Sequence, residues 1–414
     1  MSDAARDARP AASLAVVGGA NQSGVRVYNE RLILSLVRRF GPLSKVEVAR
    51  LTGLSVQSTS AIMNRLQLEG LLRREAPLRG KVGQPTIPMS IEPEGAFSFG
   101  LKIGRRSCDL VLADFGGAVR RREHLTFAYP TPDIVRGFVS ENFPPMMQSL
   151  SPDQARRVAG FGVASPFQLW LWAEEIGAPK GAMEGWRDAD IAADIAAICP
   201  YPVMLWNDAT SACAAEFFFG RAWRYRDFLY FFIGSFVGGG VVLDGAVFPG
   251  RSGNAGALGS MPIARRTGEG LEVSQLIASA SICQLERRIE ASGGDPSSIW
   301  RTPDRWADFG AALELWLDEA AEGLAQAIVA ATSVIDFEAA VIDGAMPTHI
   351  RDALCARVRD DFSRLDRRGL QDVEIVAGAV GVDARAIGGA ALSLIKNFAR
   401  DREVVFKDAP TGAA

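Results

Sequence analysis

The chain is 414 residues long, 48% hydrophobic and 22% charged, with 42 glycines, which provides for two or three separate cores and argues against an extended disordered protein. No run of about 18 apolar residues is present to cross a bilayer, and no basic-then-apolar leader opens the chain. The five scattered cysteines (Cys108, Cys199, Cys213, Cys283, Cys355) include no C-x-x-C pair, so reduced thiols in a cytoplasmic protein are expected rather than a disulfide framework or a cysteine zinc site.

The formal charge of −3 hides an asymmetry. Val25–Ser90 holds eleven Lys/Arg against four Glu and no Asp, a surplus of +7; residues 1–24 are neutral, leaving −10 for Ile91 onward. A basic head on an acidic body points to a polyanionic partner for the head alone.

Residues 1–24 lack periodicity and read as a disordered lead. From Val25 the apolar spacing of Tyr28, Ile33, Leu34, Leu36 and Val37 predicts a helix that stops at Phe40-Gly41-Pro42. Ser44 caps a second helix, Lys45 to Leu51, with Glu47 completing a capping box. After the Thr52-Gly53-Leu54 turn, Ser55 caps a third helix running to about Glu69, with Val56, Thr59, Ile62 and Leu66 inward. Strands at Leu71–Arg74 and Thr86–Ile91 flank a Gly/Pro-rich loop. The segment 25–92 is therefore a winged helix-turn-helix.

The third helix leaves Gln57, Ser58, Ser60, Ala61, Asn64 and Arg65 outward, short polar and amide groups of the kind that reach base edges in a major groove. Gln57 suits bidentate contact to adenine and Arg65 a phosphate clamp. Ser44 and Ser55 at the two helix starts, and Arg79, Lys81 and Gln84 at the wing tip, complete the candidate interface with double-stranded DNA; a cationic Gly loop is suited to a narrow minor groove.

Strands are predicted at Ser98–Ile103, Cys108–Asp114 and Val119–Phe127, then a helix over Pro132–Leu150, a strand at Val158–Ala164, a helix at Ile191–Ile198, a strand at Val203–Trp206 and a helix at Ala209–Phe219. A second set starts at Phe228: Leu229–Ile233, Gly238–Leu243 and Ala246–Phe248. Helices are expected from about Ser274 to Ile335, strands at Ala339–Asp343 and Glu374–Ala377, and a closing helix at Ala384–Phe398. The two three-strand meanders look like one unit used twice, which predicts two lobes with a cleft between them.

The motifs of this α/β body resemble the ROK family of repressors, open reading frames and sugar kinases. Gly100-Leu101-Lys102-Ile103-Gly104-Arg105 is similar to the family's G-x-D-x-G-G-T, and Gly160–Pro166 to G-x-G-x-x-x-P. Gly185-Trp186, Asn207-Asp208-Ala209, Gly234–Gly240 and Gly253–Ser260 follow in register, and the wing's Gly83-Gln84-Pro85 matches G-R-P. The resemblance covers Val25 to about Phe398. It implies a winged helix-turn-helix plus a two-lobed actin-like (ribonuclease H-like) sugar-kinase-type fold, with an effector and dimerisation domain at 93–400 and a tail at 401–414.

The departures from the family bear on chemistry. Ala257 and Ser260 stand where the kinases' Glu and His hold sugar and zinc, the Cys cluster is gone, and Ile277 takes the place of a later Glu. Neither zinc nor any cofactor is expected. On the phosphate side Lys102 replaces a carboxylate, Arg105 and Arg106 replace Gly-Thr, and Phe236 replaces a glycine, which predicts that phosphoryl transfer is disabled. Asp208 is then a vestigial general base, and Ser165, Asn207, Asp208 and Asn254 are candidate effector contacts. Trp170, Trp172 and Trp186 border the cleft as packing or lid residues, with stacking on a sugar face as the alternative. The resemblance implies a regulator that is a homodimer or higher homo-oligomer, in the first instance a repressor, and that binds a two-fold operator under control of a sugar-like effector. The competing reading is an ATP-dependent sugar kinase with a DNA-binding head.

Overall fold

In the computed structural model, which describes residues 22–78, 86–174, 177–268 and 270–400, local sequence signals build the head. Helix α1 (Gln22–Phe40) stops at Gly41, whose φ of +81° needs glycine. Helix α2 (Lys45–Thr52) opens on the expected capping box. Ser44 Oγ accepts from Glu47 N–H, and Ser44 N–H donates to Glu47 Oε2 at 2.8 Å. Gly53 closes α2 in the left-handed region, and Ser55 caps α3 (Val56–Leu68) by accepting from Ser58 N–H. Strands β1 (Leu72–Arg74) and β2 (Met89–Ile91) pair antiparallel as the wing's base.

Three expectations for the head are corrected. Gln22, Ser23 and Gly24 belong to α1 rather than to a lead; the rest of the 1–24 expectation lies outside the described residues. Thr86 only bridges Leu78, and the strand starts at Met89. Val56, expected inward, is 54% exposed, while Met63 is fully buried. The inward stripe begins one turn later, at Thr59, Met63 and Leu66, an i, i+4, i+7 spacing.

The body contains the predicted duplication. In the first lobe β3 (Phe97–Ile103), β4 (Ser107–Asp114) and β5 (Val119–Thr126) form a meander. Helices α4 (Pro132–Gln148) and α5 (Pro152–Arg156), strand β6 (Val158–Ser165), helix α6 (Ile191–Ile198) and strand β7 (Val203–Asn207) follow, before α7 (Asp208–Phe219) crosses to the second lobe. There β8 (Phe228–Ile233), β9 (Val237–Leu243) and β10 (Ala246–Val247) repeat the meander. After the hairpin β11 (Pro262–Thr267) and β12 (Gly270–Gln275) come helices α8 (Ile277–Ala280), α9 (Ile282–Ala291), α10 (Ser298–Arg301) and α11 (Gly310–Thr332). Strand β13 (Ala339–Gly344), helix α12 (Thr348–Arg364) and strand β14 (Glu374–Ala377) precede the closing helix α13 (Ala384–Phe398).

The sheet orders are β5-β4-β3-β6-β7 and β10-β9-β8-β13-β14, the same five-strand plan twice. Each meander is antiparallel, and its first strand then pairs in parallel with the next. Ser274, expected to begin the helices, lies in β12. Helix α12 falls where the sequence pattern predicts no element, because its inward stripe of Ile350, Leu354, Val358 and Phe362 is embedded among arginines and aspartates.

Helices α7 and α13 pack together between the lobes. Small residues permit the approach: α7 buries Ala209, Ala212, Cys213 and Ala215, and a Cβ on Gly388 of α13 would collide with the Ser211 carbonyl. A Cβ on Gly162 of β6 would likewise strike Gly389 O. The head is seated on the end of this pair. Ile33, Leu34 and Val37 of α1 share one core with Phe115, Phe218, Leu394 and Ala399. Arg38 lies with its guanidinium 4.1 Å from the Phe218 ring centre and 4.5 Å from that of Phe115, and donates to Phe115 O at 2.7 Å. No helix among the described residues is long and apolar enough to cross a membrane.

Candidate functional site

The outer face of α3 is the candidate nucleic-acid surface. Gln57, Ser58, Ala61 and Asn64 are exposed and Ser60 is half-buried. Ser55, also exposed, donates from its hydroxyl to Ser58 Oγ at 2.9 Å while accepting from Ser58 N–H. Lys45 Nζ reaches from α2 to Asn64 Oδ1 at 2.7 Å, placing on this face a cation that the sequence pattern does not single out. Two expected contacts are occupied differently. Ser44 is 5% exposed and its hydroxyl is engaged by Glu47. Arg65 is paired with Glu30 of α1 and Glu69, so its guanidinium serves the head's own packing before any phosphate. Arg79, Lys81 and Gln84 lie outside the described residues.

The interlobe cleft is built from strand ends and turns. Parallel pairing of β6 and β7 sets Ser165 beside Asn207 at their C-terminal ends, the edge where open α/β sheets bind ligands. Asn207 caps α7, its Oδ1 accepting from Ala209 N–H at 3.0 Å and Thr210 N–H at 3.3 Å. Asp208, in the first turn of α7, accepts through Oδ2 from Arg385 of α13 at 3.2 Å. The guanidinium of Arg385 also lies 4.8 Å from the Phe232 ring centre. Asn254 is exposed on a second-lobe loop whose neighbour Gly253 faces Phe167. Ala257 and Ser260 are exposed beside it.

At the turns after β3 and β8 the lobes meet through aromatic and cationic side chains. The Arg105 guanidinium, in the turn after β3, lies 3.3 Å from the Phe236 ring centre, in the turn after β8. Phe236 in turn packs on Trp172 of the first lobe, ring centres 4.7 Å apart. Burial pushes the Arg105 guanidinium down to about 10, against the pull of the Cys283 thiol. Within the second lobe Gly234 N–H donates to Phe236 O and Val237 N–H to Ser281 Oγ at 3.0 Å, so these two loop donors are already satisfied.

Near the end of β3, Lys102 is 8% exposed. Its ammonium donates to Ser107 Oγ at 2.8 Å and pairs with Asp109 at 3.1 Å, and Asp109 is bound on its other oxygen by His124 at 2.8 Å. Burial pulls Lys102 below its ordinary value, and the Arg385 charge adds to the effect. Trp186 is a packing residue, 7% exposed, donating to Pro130 O at 3.0 Å. Trp170 lies under Arg187.

Sequence reasoning missed Arg385, Asp109 and the Arg105–Phe236–Trp172 stack. Arg385 opens a helix that reads only as a closing element, and nothing near it in the chain marks a partner for Asp208. The arrangement offers hydrogen-bonding groups to a polar ligand at Ser165, Asp208 and Asn254. Asp208 is engaged by Arg385 through Oδ2, and Phe236 contacts both Arg105 and Trp172.

Comparison with known proteins bears on both parts. A family model described as the ROK family matches residues 98–396, and one described as the MarR family matches residues 28–81. The xylose repressor of Bacillus spizizenii is 23% identical over 244 residues, 59% of this chain and 62% of that protein, so the chain spans less than two thirds of that relative's length. A crystal structure of a ROK family transcriptional regulator, described as a homolog of the E. coli MLC protein, aligns with a TM-score of 0.63 at 19% identity over 91% of this chain and 98% of its own. The ROK hexokinase of Thermus thermophilus aligns with a TM-score of 0.54 at 22% identity, over 72% and 98% respectively. These structural likenesses show a shared fold.

Proposed function

The chain belongs to the ROK family, and from that premise we propose that it is a cytoplasmic DNA-binding transcriptional regulator whose interlobe cleft senses a sugar or sugar derivative and no longer transfers phosphate. The winged head binds a two-fold operator as part of a homodimer formed by the bodies, and acts as a repressor of carbohydrate-related genes. Repressors among its relatives support this reading.

The observation that carries it is the seat of α1 on the α7–α13 pair. The two helices that join the lobes also hold the head, so a ligand that alters lobe closure moves the platform from which α3 projects. A coupling of about 1–3 kcal/mol changes DNA affinity by roughly 5–150-fold. Ser165, Asn207, Asp208 and Asn254 are the proposed effector contacts, although Asn207 has already committed its side-chain oxygen to the α7 cap. With Ala257 and Ser260 at positions that hold sugar in the kinases, a modified sugar or polyol is the class to test first.

Loss of kinase chemistry rests on three features: Lys102 bound to Asp109, Asp208 held by Arg385, and Phe236 stacked under Arg105. Arg385 occupies one oxygen of Asp208, Oδ2, so the candidate base is partly engaged.

The test is capture of genomic fragments by the full-length protein, followed by fluorescence anisotropy on the best fragment across a salt series and a sugar panel. Tight binding that weakens steeply with salt is expected, with at least one sugar or polyol shifting the Kd by 5-fold or more. A protein that prefers no genomic fragment over competitor DNA, with or without small molecules, defeats the proposal. Sustained ATP turnover with any sugar, lost in Asp208→Asn, establishes the kinase reading instead.

A further inference from the structure

A separate cavity of about 320 Å³ opens at the seam between head and body, away from the interlobe cleft. We propose that this seam cavity is a second ligand site, built for a small aromatic carboxylate held by Arg38 and Arg39. None of Ser165, Asn207, Asp208 and Asn254 lines it. Its walls come from α1, the end of α7, the turn that follows and the residues just after α13. The volume lies at the small end of the range for ligand cavities.

The apolar wall is Leu32 and Leu36 of α1 with Phe217, Trp223 and Tyr225 of the body. Such a surface takes a flat apolar ring. The polar lining is one-sided: it includes four arginines and, among the described residues, no aspartate or glutamate. Two of the four are committed at the rim. Arg226 is paired with Asp244, and Arg400 donates to the Asp244 carbonyl at 3.0 Å.

Arg38 and Arg39 are not so matched. Arg38 spends Nη1 on Phe115 O, while its Nη2 is buried and has no hydrogen-bond partner. Burial drives this guanidinium down to about 9, against the pull of Asp114. Arg39 Nε is likewise buried and unpartnered, and its guanidinium lies 5.1 Å from the Trp223 ring centre. The carboxylates whose charge acts on them are engaged elsewhere. Asp114 accepts from Arg120 and from Gly116 and Ala118 N–H, and Glu338 accepts from Arg226 N–H at 2.6 Å. A buried donor with no acceptor is costly, and a carboxylate in a cavity lined by both arginines supplies an acceptor. Burial lowers the Arg39 guanidinium below its ordinary value, and the charge of Arg400 adds to the effect.

Because α1 is one wall, a ligand here is an input to the head distinct from the interlobe effector. This input role rests on the regulatory reading; the existence of the site does not.

The probe is 2-naphthoate, titrated calorimetrically into the full-length protein without DNA, beside the uncharged 2-naphthamide. Arg39→Gln removes the anchor, and Ser35→Phe fills the cavity from α1, where Ser35 is half-buried; melting curves check that both variants fold. Saturable one-to-one binding is expected, at least 10-fold weaker for the amide and for Arg39→Gln, and abolished by Ser35→Phe. No saturation up to millimolar concentration, equal binding of acid and amide, or binding that survives Ser35→Phe in a folded protein overturns the site. Should either variant fail to fold, the acid–amide comparison decides. In a second arm, 2-naphthoate is expected to shift the Kd for the captured DNA fragment at least 3-fold in the parent protein and not in Arg39→Gln. Binding without that shift overturns the input role alone.

Discussion

Asp109 shows how a single residue answers to its surroundings. Burial acts to raise its carboxyl, but the Lys102 ammonium and the hydrogen bonds from His124 and Lys102 outweigh it and hold the group below the ordinary carboxylate range. A carboxyl whose folded value lies below its unfolded value, about 3.9 for Asp, adds stability that is complete above that pH. The contribution is lost as pH falls through the lower folded value. Asp109→Asn removes it and strands Lys102, whose side chain is only 10% exposed. The expected cost near neutral pH is about 3–5 kcal/mol, shrinking below roughly pH 4, as read by urea denaturation from pH 3 to 7. An unchanged unfolding midpoint at pH 7 contradicts the pairing. On the DNA side, Gln57 is exposed in the first turn of α3. Gln57→Ala is expected to weaken binding to the preferred fragment by about 1–3 kcal/mol without moving the melting temperature. Equal loss on every DNA sequence would make Gln57 a backbone contact.

The elements that matter most are the two helices between the lobes. Their approach depends on glycine and alanine where any longer side chain meets backbone, as at Gly388 against the Ser211 carbonyl. Backbone cannot rotate away as a flexible side chain does, so Gly388→Ala is expected to destabilise at the upper end of the overpacking range, about 3 kcal/mol. A melting temperature within a degree of the parent would contradict the close packing. In the head, the Ser44–Glu47 box and the Ser55 cap each lie within four residues of chain, and both are legible in the sequence alone. Helix α12 is not, since its charged surface hides a sparse inward stripe. The β11–β12 hairpin escapes for another reason: Leu271-Glu272-Val273-Ser274 alternates only briefly, and its two apolar residues stay exposed instead of marking a core face.

For the molecule as a whole, the Arg105–Phe236–Trp172 stack is a direct side-chain contact between the lobes. An aromatic pair and a cation over a ring together contribute about 1–3 kcal/mol. Phe236→Ala is therefore expected to populate an opened form, seen as a larger radius of gyration in small-angle scattering and a red shift of tryptophan emission. Identical scattering curves would show that other contacts hold the cleft. Since the head is seated on the inter-lobe helices, the same variant is also expected to change DNA affinity, whichever state binds more tightly.

Sequence alone determined what depends on neighbours along the chain. Caps, turn glycines and apolar periodicity located most helices and strands, the repeated meander implied two lobes, and motif spacing pointed to the family. Tertiary structure alone decided which distant groups meet. Asp208 is paired with an arginine 177 positions away, Arg65 is turned onto Glu30, and Phe236 bridges one lobe to the other. The reason is geometric. Local hydrogen bonding constrains a few consecutive dihedrals and leaves a mark in short patterns, whereas contacts between remote side chains follow from how tightly whole elements pack, and a Gly-lined helix pair sets that distance with no motif to announce its partners.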